Sequence, residues 1–600
     1  MSEARPIKRI MFLALAVLAL SGFYVRSLYE LSISARPVEA DVMTETQPVY
    51  ARRGDIVDRN GVVISGSRLA FSVGVNRLWY RGNPGQKLER VNEILGSSLE
   101  SVPDDGILAK GITREQAALI EQSRIFLTGV EVYTSYVRDY PLAIAPHTVG
   151  QIGPIWAEEY QNLSQMGYEL NSLIGREGIE KSYEDVLRGH DGSRRVELDE
   201  AGRIIGIISE TPAEDGSTVV LTIDAALQQR LEELLAQTIE DLDTGMGGAA
   251  VALSVKTWET IAIASYPDYE VENYSKNYAE LSADPRSPLF NRAISGLYAP
   301  GSVFKMLTAV AALETKTITT KTMIEDEGIY THYEEAGYAP RCWLYRKNGT
   351  THGELDVVGA IKHSCNYFFY ETGRKTGISA IDSYAERFGL GIKTGIELPG
   401  EAAGVLAGPA SCGGTWYDGD TLGASIGQSD HQFTPIQLAR YIATLAGGGI
   451  KYRPHIIKEI RSPEGETLVS AGNEIEDVIP ISNSNLTAVL EGMKEVTEDG
   501  TASLAFKGYP ISVGGKTGSV QVAEGKPDNG VFAAFAPFED PEVVIVIIAE
   551  GAGTGGVLGY AARDFFNACF GVEEAREEEA GEAPSDISEA DRALEEETGP

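Results

Sequence analysis

Residues 247–267, GGAAVALSVKTWETIAIASYP, contain two apolar runs separated by the polar stretch Lys256–Glu259. Short apolar runs bounded by turn residues are typical of buried strands, so this stretch predicts a β-hairpin. A second pair of such runs, VFAAFAPF (531–538) and EVVIVIIAE (542–550), lies near the carboxyl end of the chain. The residues between the two pairs have mostly helical patterns. We therefore expect an α+β fold in which distant segments form one antiparallel sheet and helices pack against it.

The residues on the amino-terminal side of these strands have a different sequence pattern. Residues 30–215 contain short strand-like runs and many turns, among them RRGDIVDRNGVVI (52–64). A helix is predicted at 223–242, where leucines recur at helical spacing and Asp224 is a candidate N-cap. The pattern therefore indicates a multidomain chain, with a mostly β domain over 30–215 and the α+β domain over 216–572.

Composition restricts the class of protein. The chain has 51 Lys and Arg residues against 87 Asp and Glu residues, a net charge of −36, which disfavours nucleic-acid binding. Four cysteines in 600 residues cannot form a disulfide framework. The acidic segment 573–600 has almost no large apolar side chains, and we expect it to be a disordered tail.

The amino terminus predicts a membrane anchor. Residues 10–29 are almost entirely uncharged and apolar, and Arg5, Lys8 and Arg9 precede them. Positive residues before a span keep the preceding segment in the cytoplasm, so we expect residues 1–9 inside the cell and the large remainder outside. A cleaved signal peptide is the alternative.

The strongest candidate for chemistry is APGSVFK, residues 299–305. Pro-Gly ends a loop and SVFKMLTAVAALET predicts a helix, so Ser302 and Lys305 lie on one face of its first turns. A desolvated lysine can take the proton of a serine, and the amino end of a helix offers N–H groups to an oxyanion. By itself the pattern is more typical of an N-cap serine and a surface lysine than of a catalytic pair.

Two further motifs accompany this pair. Ser364-Cys365-Asn366 lies at a predicted helix-to-loop junction and offers a hydroxyl and an amide that could orient the lysine and a substrate amide. Lys-Thr-Gly occurs at 375–377, 393–395 and 516–518, but only the third leads directly into a strand pattern, SVQVA (519–523). That strand can flank a cleft and bind a carboxylate, with the glycine providing clearance, whereas the first two motifs are predicted to be turns.

The ordered motifs Ser302…Lys305, Ser364…Asn366 and Lys516…Gly518 resemble those of the penicillin-recognising acyl-serine transferases. The resemblance covers nearly all of residues 48–570. Segments such as GREGIEKSYEDVLRGHDG (175–192) and GASIGQSDHQFTPIQLA look like class B penicillin-binding proteins. HGELDVVGAIKHSCNYFFYETG most resembles the elongation-type group, penicillin-binding protein 2.

This resemblance implies an elongated pedestal or dimerisation domain followed by a β-lactamase-like transpeptidase domain. It implies peptidoglycan D,D-transpeptidation through an acyl-serine during cell-wall elongation, with β-lactams as inhibitors and no cofactor needed for catalysis. The expected partners are stem peptides and a membrane glycan polymerase of the shape, elongation, division and sporulation family. The implied roles are nucleophile for Ser302, general base for Lys305, and proton transfer and substrate holding for Ser364 and Asn366. Substrate binding is implied for the third motif and the residue after it, with the terminal carboxylate held by two of them: Lys516, Thr517, Gly518 and Ser519, of which Lys516 and Thr517 take the carboxylate. The N–H groups of Ser302 and Ser519 are the implied oxyanion hole.

Other functions share this serine fold. A division-type transpeptidase and a D,D-carboxypeptidase would use the same acyl-enzyme. A β-lactamase would need a base that activates water, and no convincing glutamate motif is present. A β-lactam sensor or a non-catalytic scaffold would bind without turnover, and the three intact motifs argue against a scaffold.

The cysteines suggest a metal site close to the second motif. Cys342, His352 and Cys365 lie within 24 residues of one another, and some elongation-type relatives carry zinc there. Structural zinc requires four ligands. A buried free thiol and a Cys342–Cys365 disulfide are the alternatives. The candidates for a fourth ligand are His332, Glu334 and Glu335.

Overall fold

The computed structural model describes residues 4–34, 43–76, 80, 82–103, 106–169, 172–198, 204–244, 246–522 and 527–573. All but the first residue of the acidic segment 573–600 lies outside the described residues, as do the first three residues of the expected cytoplasmic tail.

Helices and strands are numbered in chain order. The helices are α1 (Ala4–Ser34), α2 (Pro84–Leu95), α3 (Arg114–Gln122), α4 (Pro146–Val149), α5 (Ala157–Leu163), α6 (Gly178–Ser182), α7 (Glu184–Leu187), α8 (Ala225–Asp241), α9 (Tyr274–Ala283), α10 (Arg292–Ser295), α11 (Lys305–Glu314), α12 (Trp343–Asn348), α13 (Val357–Lys362), α14 (Asn366–Thr376), α15 (Ile378–Arg387), α16 (Asp420–Ser425), α17 (Pro435–Ala446), α18 (Asn483–Glu498), α19 (Ser503–Phe506) and α20 (Leu558–Phe570). The strands are β1 (Met43–Val49), β2 (Ile56–Val57), β3 (Val63–Val75), β4 (Ile107–Ile112), β5 (Val130–Asp139), β6 (Ile152–Pro154), β7 (Leu173–Gly175), β8 (Gly192–Leu198), β9 (Ile204–Thr211), β10 (Thr218–Leu221), β11 (Gly248–Ser254), β12 (Thr260–Tyr266), β13 (Ile324–Asp326), β14 (Gly353–Leu355), β15 (Ile450–Tyr452), β16 (Ile457–Arg461), β17 (Thr467–Ser470), β18 (Ile475–Val478), β19 (Gly514–Val520), β20 (Asn529–Ala536) and β21 (Val543–Ala549).

The chain forms two compact units. The larger unit contains residues 52–69, 136–189 and 215–600, and the smaller unit contains the remaining residues. This division differs from the single boundary expected between residues 215 and 216. The physical reason is a long-range strand pairing, because β2 runs parallel to β10 with Ile56 opposite Val219.

The larger unit is built on a five-stranded antiparallel sheet with the order β12-β11-β21-β20-β19. Val251 of β11 stands opposite Val546 of β21, and both strands are apolar and almost fully buried along their length. Buried strands of this kind need cover on both faces. Helices α8 and α20 pack against each other and the sheet, and the fully buried helix α17 packs against β11, β20 and β21. The predicted α+β fold with one sheet from distant segments is confirmed.

The smaller unit contains α1 and a sheet with the order β1-β8-β9. Residues Ile10–Glu30 of α1 have a mean hydropathy of 1.8 and none of this segment is buried, so α1 is long and apolar enough to span a membrane. It is the one such helix in the described part of the chain. A separate apolar core joins β4 to α2 and α3, with Val73, Val91 and Ile120 at its centre.

Candidate active site

The predicted nucleophile lies at the start of a buried helix. A single 3-10 turn over Gly301–Phe304 precedes α11, so the predicted helix begins with a tighter turn than an α-helix. Gly301 has a φ of 53°, a conformation that glycine adopts readily, and this turns the chain into the helix. Ser302 then lies at the edge of a cleft, whereas Lys305 is completely buried.

Lys305 is directed towards the second motif. Its Nζ lies 2.7 Å from the Ser364 carbonyl oxygen, 3.2 Å from Ser364 Oγ and 2.6 Å from Asn366 Oδ1. Burial lowers the pKa of Lys305 to about 8 because the charged form loses its hydration. Among the described residues no hydrogen bond joins Lys305 to Ser302, since its donors are taken by the second motif. Catalytic hydrogen bonds often tighten only when substrate is bound.

The second motif connects α13 to α14. Ser364 has a φ of 54°, which is unusual for a residue with a side chain and marks local backbone strain. Cys365 caps α14, and its Sγ accepts a hydrogen bond from the Phe368 N–H. Asn366 is the first residue of α14 and its side chain is directed back to Lys305.

The third motif lies inside β19, at the edge of the sheet. The strand therefore begins before Lys516 and ends at Val520, earlier than the 519–523 pattern indicated. Lys516 Nζ donates to Ser364 Oγ across 2.9 Å, and burial followed by the charge of Lys305 holds the pKa of Lys516 well below its usual value. At Gly518 a Cβ would lie 3.1 Å from the Pro300 carbonyl oxygen, so glycine permits the close approach of the serine turn.

The three motifs face one cleft of about 980 Å³. Ser302, Ser364, Asn366, Thr517 and Ser519 all line it. No glutamate of the described chain lines the cleft, and its one carboxylate is that of Asp528. The structure therefore brings together the eight predicted catalytic and substrate-binding residues, while the roles assigned to them stay predictions.

The other two Lys-Thr-Gly sequences lie away from this cleft. Lys375 forms an ion pair with Glu371, 2.7 Å away within α14. In the second copy, the Thr394 hydroxyl donates to the Glu401 carboxylate across 2.6 Å, which stabilises a turn.

A neighbouring residue was not predicted. Thr501 lines the cleft, and its Oγ1 lies 2.7 Å from Thr517 Oγ1. It lies in the short connection between α18 and α19, which carries no motif that could have indicated it.

Four potential metal ligands meet directly behind the second motif. Asp326, Cys342, His352 and Cys365 each direct one ligand atom into a space in which these atoms all lie within 4.8 Å of one another. Pairing of β13 with β14 sets Asp326 opposite Gly353, and this brings its carboxylate beside His352. Asp326 is thus the fourth potential ligand in this cluster. The predicted candidates for a fourth ligand were His332, Glu334 and Glu335, and none of these three belongs to the described cluster.

The separations in this cluster match tetrahedral zinc. The two sulfurs are 3.9 Å apart, and Cys342 Sγ lies 3.5 Å from His352 Nδ1. Zinc–sulfur bonds of about 2.3 Å at tetrahedral angles would place two sulfurs about 3.8 Å apart. A disulfide needs a sulfur–sulfur distance near 2.05 Å, and both cysteines are free thiols.

The charges in the cluster also favour a cation. The hydrogen bond with Cys365 is the main cause that holds the pKa of the Cys342 thiol below its ordinary value. Burial opposes ionisation of Asp326, but hydrogen bonds from the His352 ring, from the Gly328 and His352 N–H groups and from Cys342 together outweigh it and lower the pKa of this carboxyl to about 2. Burial lowers the pKa of His352, but its contacts with Asp326 and Cys342 outweigh this effect and raise the pKa to about 9. The two anionic groups are therefore balanced in part by a protonated imidazole, and a metal cation can take over that role when His352 gives up its proton to become a ligand.

Comparison with known proteins agrees with this architecture. The family model described as the penicillin binding protein transpeptidase domain matches residues 248–569, which is more than half of the chain. The penicillin-binding protein dimerisation domain matches residues 48–221. The chain therefore belongs to the penicillin-binding protein transpeptidases.

Within this family the chain is similar to the peptidoglycan D,D-transpeptidase MrdA of Escherichia coli strain K12. The two are 29% identical over 614 residues, which cover 94% of each chain. A chain that is 28% identical occurs in a solved structure entitled "Structural coordination of polymerization and crosslinking by a peptidoglycan synthase complex". The match covers 96% of this chain and 100% of that chain, with a TM-score of 0.74. Penicillin-binding protein PBP2 of Helicobacter pylori, solved with MreC, shares the fold at 24% identity, with a TM-score of 0.74 over 89% of this chain and 99% of that one. The predicted resemblance to elongation-type class B enzymes is confirmed.

Proposed function

We propose that the protein is a membrane-anchored peptidoglycan D,D-transpeptidase that cross-links stem peptides during cell-wall elongation. The observation that carries this proposal is the convergence of two buried lysines on one hydroxyl, beside a serine at the mouth of a cleft. The family membership and the 29% identity to a peptidoglycan D,D-transpeptidase MrdA support it.

The first half of the reaction would acylate Ser302. Ser302 Oγ attacks the carbonyl carbon of the penultimate D-alanine, and its proton passes to neutral Lys305. The bond from this carbon to the terminal D-alanine nitrogen then breaks. The leaving amine must receive a proton, and the Ser364 hydroxyl can pass one on because it lies within reach of Lys305 and Lys516.

The negative charge of the transition state needs donors that are already oriented. The Ser302 N–H lies in the first turn of a helix, where no acceptor within the helix is available to it. Together with the Ser519 N–H of β19 it would form the oxyanion hole. Lys516 and Thr517 would bind the terminal carboxylate of the peptide, next to the hydroxyl of Ser519.

The second half would transfer the acyl group. An amine from a neighbouring peptide attacks the ester carbonyl and loses a proton to Lys305, and the ester bond to Ser302 Oγ breaks. Ser302 recovers its proton, a new amide joins two strands, and no net proton is gained or lost.

The proposed location follows from α1. With Arg5, Lys8 and Arg9 before the span, the amino terminus would remain in the cytoplasm and the cleft would face the cell wall. A membrane-embedded glycan polymerase of the shape, elongation, division and sporulation family is the proposed partner, in keeping with the synthase complex in which a similar chain was solved.

We also propose that Asp326, Cys342, His352 and Cys365 hold a structural zinc ion. Four protein ligands leave no open position, so the ion would supply no chemistry to the substrate. Cys365 lies between Ser364 and Asn366, and a fixed Cys365 side chain would therefore restrain both residues that contact Lys305.

Labelling with a fluorescent penicillin tests the proposed reaction. Full-length protein in detergent should form a stable covalent band that disappears in Ser302→Ala. Ser379→Ala, an exposed serine on α15, is the matched control and should label like the wild type. Absence of the band in well-folded wild-type protein would refute the acyl-serine mechanism.

A further inference from the structure

One wall of the cleft is positively charged, although the protein is strongly acidic. Arg341, Arg346 and Lys347 line this wall, and Asp528 is the only acidic side chain among the described residues that line the cleft. The chain as a whole has a net charge of −36. The charge of this wall is therefore opposite in sign to the net charge of the molecule, and its electrostatic field favours an anionic ligand.

The three cations are not used to stabilise the fold. All three side chains are exposed, and among the described residues none of them forms an ion pair or a side-chain hydrogen bond. The charge of Arg346 acts on the carboxyl of Asp528, where burial raises the pKa and Arg346 opposes that rise. The positive charge is thus directed into the cleft and remains largely available to a ligand.

The backbone that carries these residues is held firmly in place. Cys342, at the start of α12, is completely buried within the cluster of metal ligands. The Trp343 indole N–H donates to the His363 carbonyl oxygen across 3.2 Å. The ring of Tyr345 packs on Gly328, where any Cβ would lie 2.2 Å from the ring. Because this backbone is already fixed, ligand binding has to order only the exposed cationic side chains, and little backbone entropy is lost.

We propose that Arg341, Arg346 and Lys347 form a subsite for the side-chain carboxylates of the peptide substrate, an inference that rests on the proposed function. Lys516 and Thr517 would already hold the terminal carboxylate, so the cations are free for groups further along the peptide. The cleft volume of about 980 Å³ exceeds what two alanine residues need. Arginine binds carboxylates through two parallel hydrogen bonds, which gives the subsite geometric selectivity.

The chemistry of the subsite defines the preferred peptide. A stem peptide with free side-chain carboxylates would bind better than the same peptide with those groups amidated. The carboxylates could belong to the acyl donor or to the amine acceptor, because both peptides must reach Ser302. A donor pentapeptide and an acceptor that lacks D-alanyl-D-alanine therefore form separate arms of the test.

Binding can be measured without turnover in full-length Ser302→Ala protein by NMR titration of each peptide in its free-acid and amidated forms. We expect the free-acid form of the donor, the acceptor or both to bind about tenfold more tightly. Adding Arg341→Ala, Arg346→Ala and Lys347→Ala should reduce this preference to less than twofold. Arg346→Lys with Lys347→Arg should retain most of it, because the charges remain.

The ratio of the dissociation constants of the amidated and free-acid peptides distinguishes a charge effect from a general disturbance of the cleft. The matched control removes three exposed cations outside the cleft and should keep the full preference: Lys321→Ala, Lys393→Ala and Lys507→Ala. Equal binding of both forms by Ser302→Ala, or a preference that survives replacement of all three cations by alanine, would overturn the subsite. Penicillin labelling reports on the acyl-serine mechanism independently, so failure of the subsite and failure of the proposed function are distinguishable.

Discussion

Ser364 Oγ accepts a hydrogen bond from Lys516 Nζ across 2.9 Å, although 152 positions separate the two residues in the chain. The same hydroxyl lies 3.2 Å from Lys305 Nζ. It therefore joins the edge strand of the sheet to the helix that begins beside Ser302. A hydroxyl can donate and accept at the same time, so it provides a route for a proton between two buried lysines.

Removal of this hydroxyl should slow acylation without unfolding the protein. For Ser364→Ala we expect the second-order rate constant for a fluorescent penicillin to fall about 100-fold to 1,000-fold, in the range typical of lost proton transfer. The rate constant of Ser364→Gly should fall by a similar factor. The free energy of unfolding of Ser364→Gly in urea should nevertheless exceed that of Ser364→Ala by about 1 kcal/mol, because glycine accepts a φ of 54° without strain. A Ser364→Ala rate within threefold of wild type would contradict the proposed route.

The acylation rate should depend on pH through Lys305. Burial lowers the pKa of this lysine to about 8, and only its neutral form can accept the serine proton. The rate should therefore rise with pH, reach half its maximum near pH 8 and level off above that. Lys305→Arg should be inactive across this range because its guanidinium stays charged.

This dependence can be measured with the fluorescent penicillin between pH 6 and 10. Lys321→Arg, an exposed lysine outside the cleft, should reproduce the wild-type profile. A flat profile, or a midpoint at the ordinary lysine pKa near 10.5, would exclude Lys305 as the base.

The metal proposal makes Asp326 the discriminating residue. Asp326→Asn should weaken zinc binding about 10-fold to 100-fold, measured by competition with a chromophoric chelator, because the amide lacks the negative charge. Glu335→Gln, which changes an exposed carboxylate outside the cluster, should bind zinc as the wild type does. If Glu335→Gln loses zinc and Asp326→Asn keeps it, the ligand set is wrong.

Gly427 should be intolerant of a side chain. Its φ is 76°, and a Cβ there would lie 2.0 Å from the Gly301 carbonyl oxygen, next to Ser302. Gly448 has a similar φ of 79° with no atom within 4 Å of a Cβ, so Gly448→Ala measures backbone strain alone.

We expect Gly448→Ala to cost about 1 kcal/mol in the free energy of unfolding and to label normally. Gly427→Ala should cost at least about 2 kcal/mol more and reduce penicillin acylation more than tenfold, since the serine turn must move. Equal stability of the two variants would show that the turn has more freedom than the structure indicates.

Much of the catalytic sheet could be predicted because its signals are local. The apolar runs of β11, β12, β20 and β21 are visible in short windows, and each hairpin is closed by neighbouring residues. The three motifs could also be recognised from their order along the chain. Once the motifs are placed around one cleft, Lys305 and Lys516 are expected to be buried, and both are buried in the structure.

The features that escaped prediction depend on pairing between distant segments. Asp326 joins the cluster of potential metal ligands only because β13 pairs with β14, and three-residue strands leave almost no sequence pattern. Segment 52–69 joins the larger unit through the parallel pairing of β2 with β10. The basic wall at Arg346 was not predicted because an arginine on a short helix looks the same in sequence wherever that helix lies.

The strand order of the catalytic sheet has a consequence for biosynthesis. β11 is made early but lies between β12 and β21, and β21 is not complete until residue 549. Until then the growing chain exposes an unpaired apolar strand edge, which invites aggregation. Ser302, Lys305 and Lys516 are all translated before the strand that completes the sheet. The nascent enzyme therefore remains unreactive until almost its whole length has emerged.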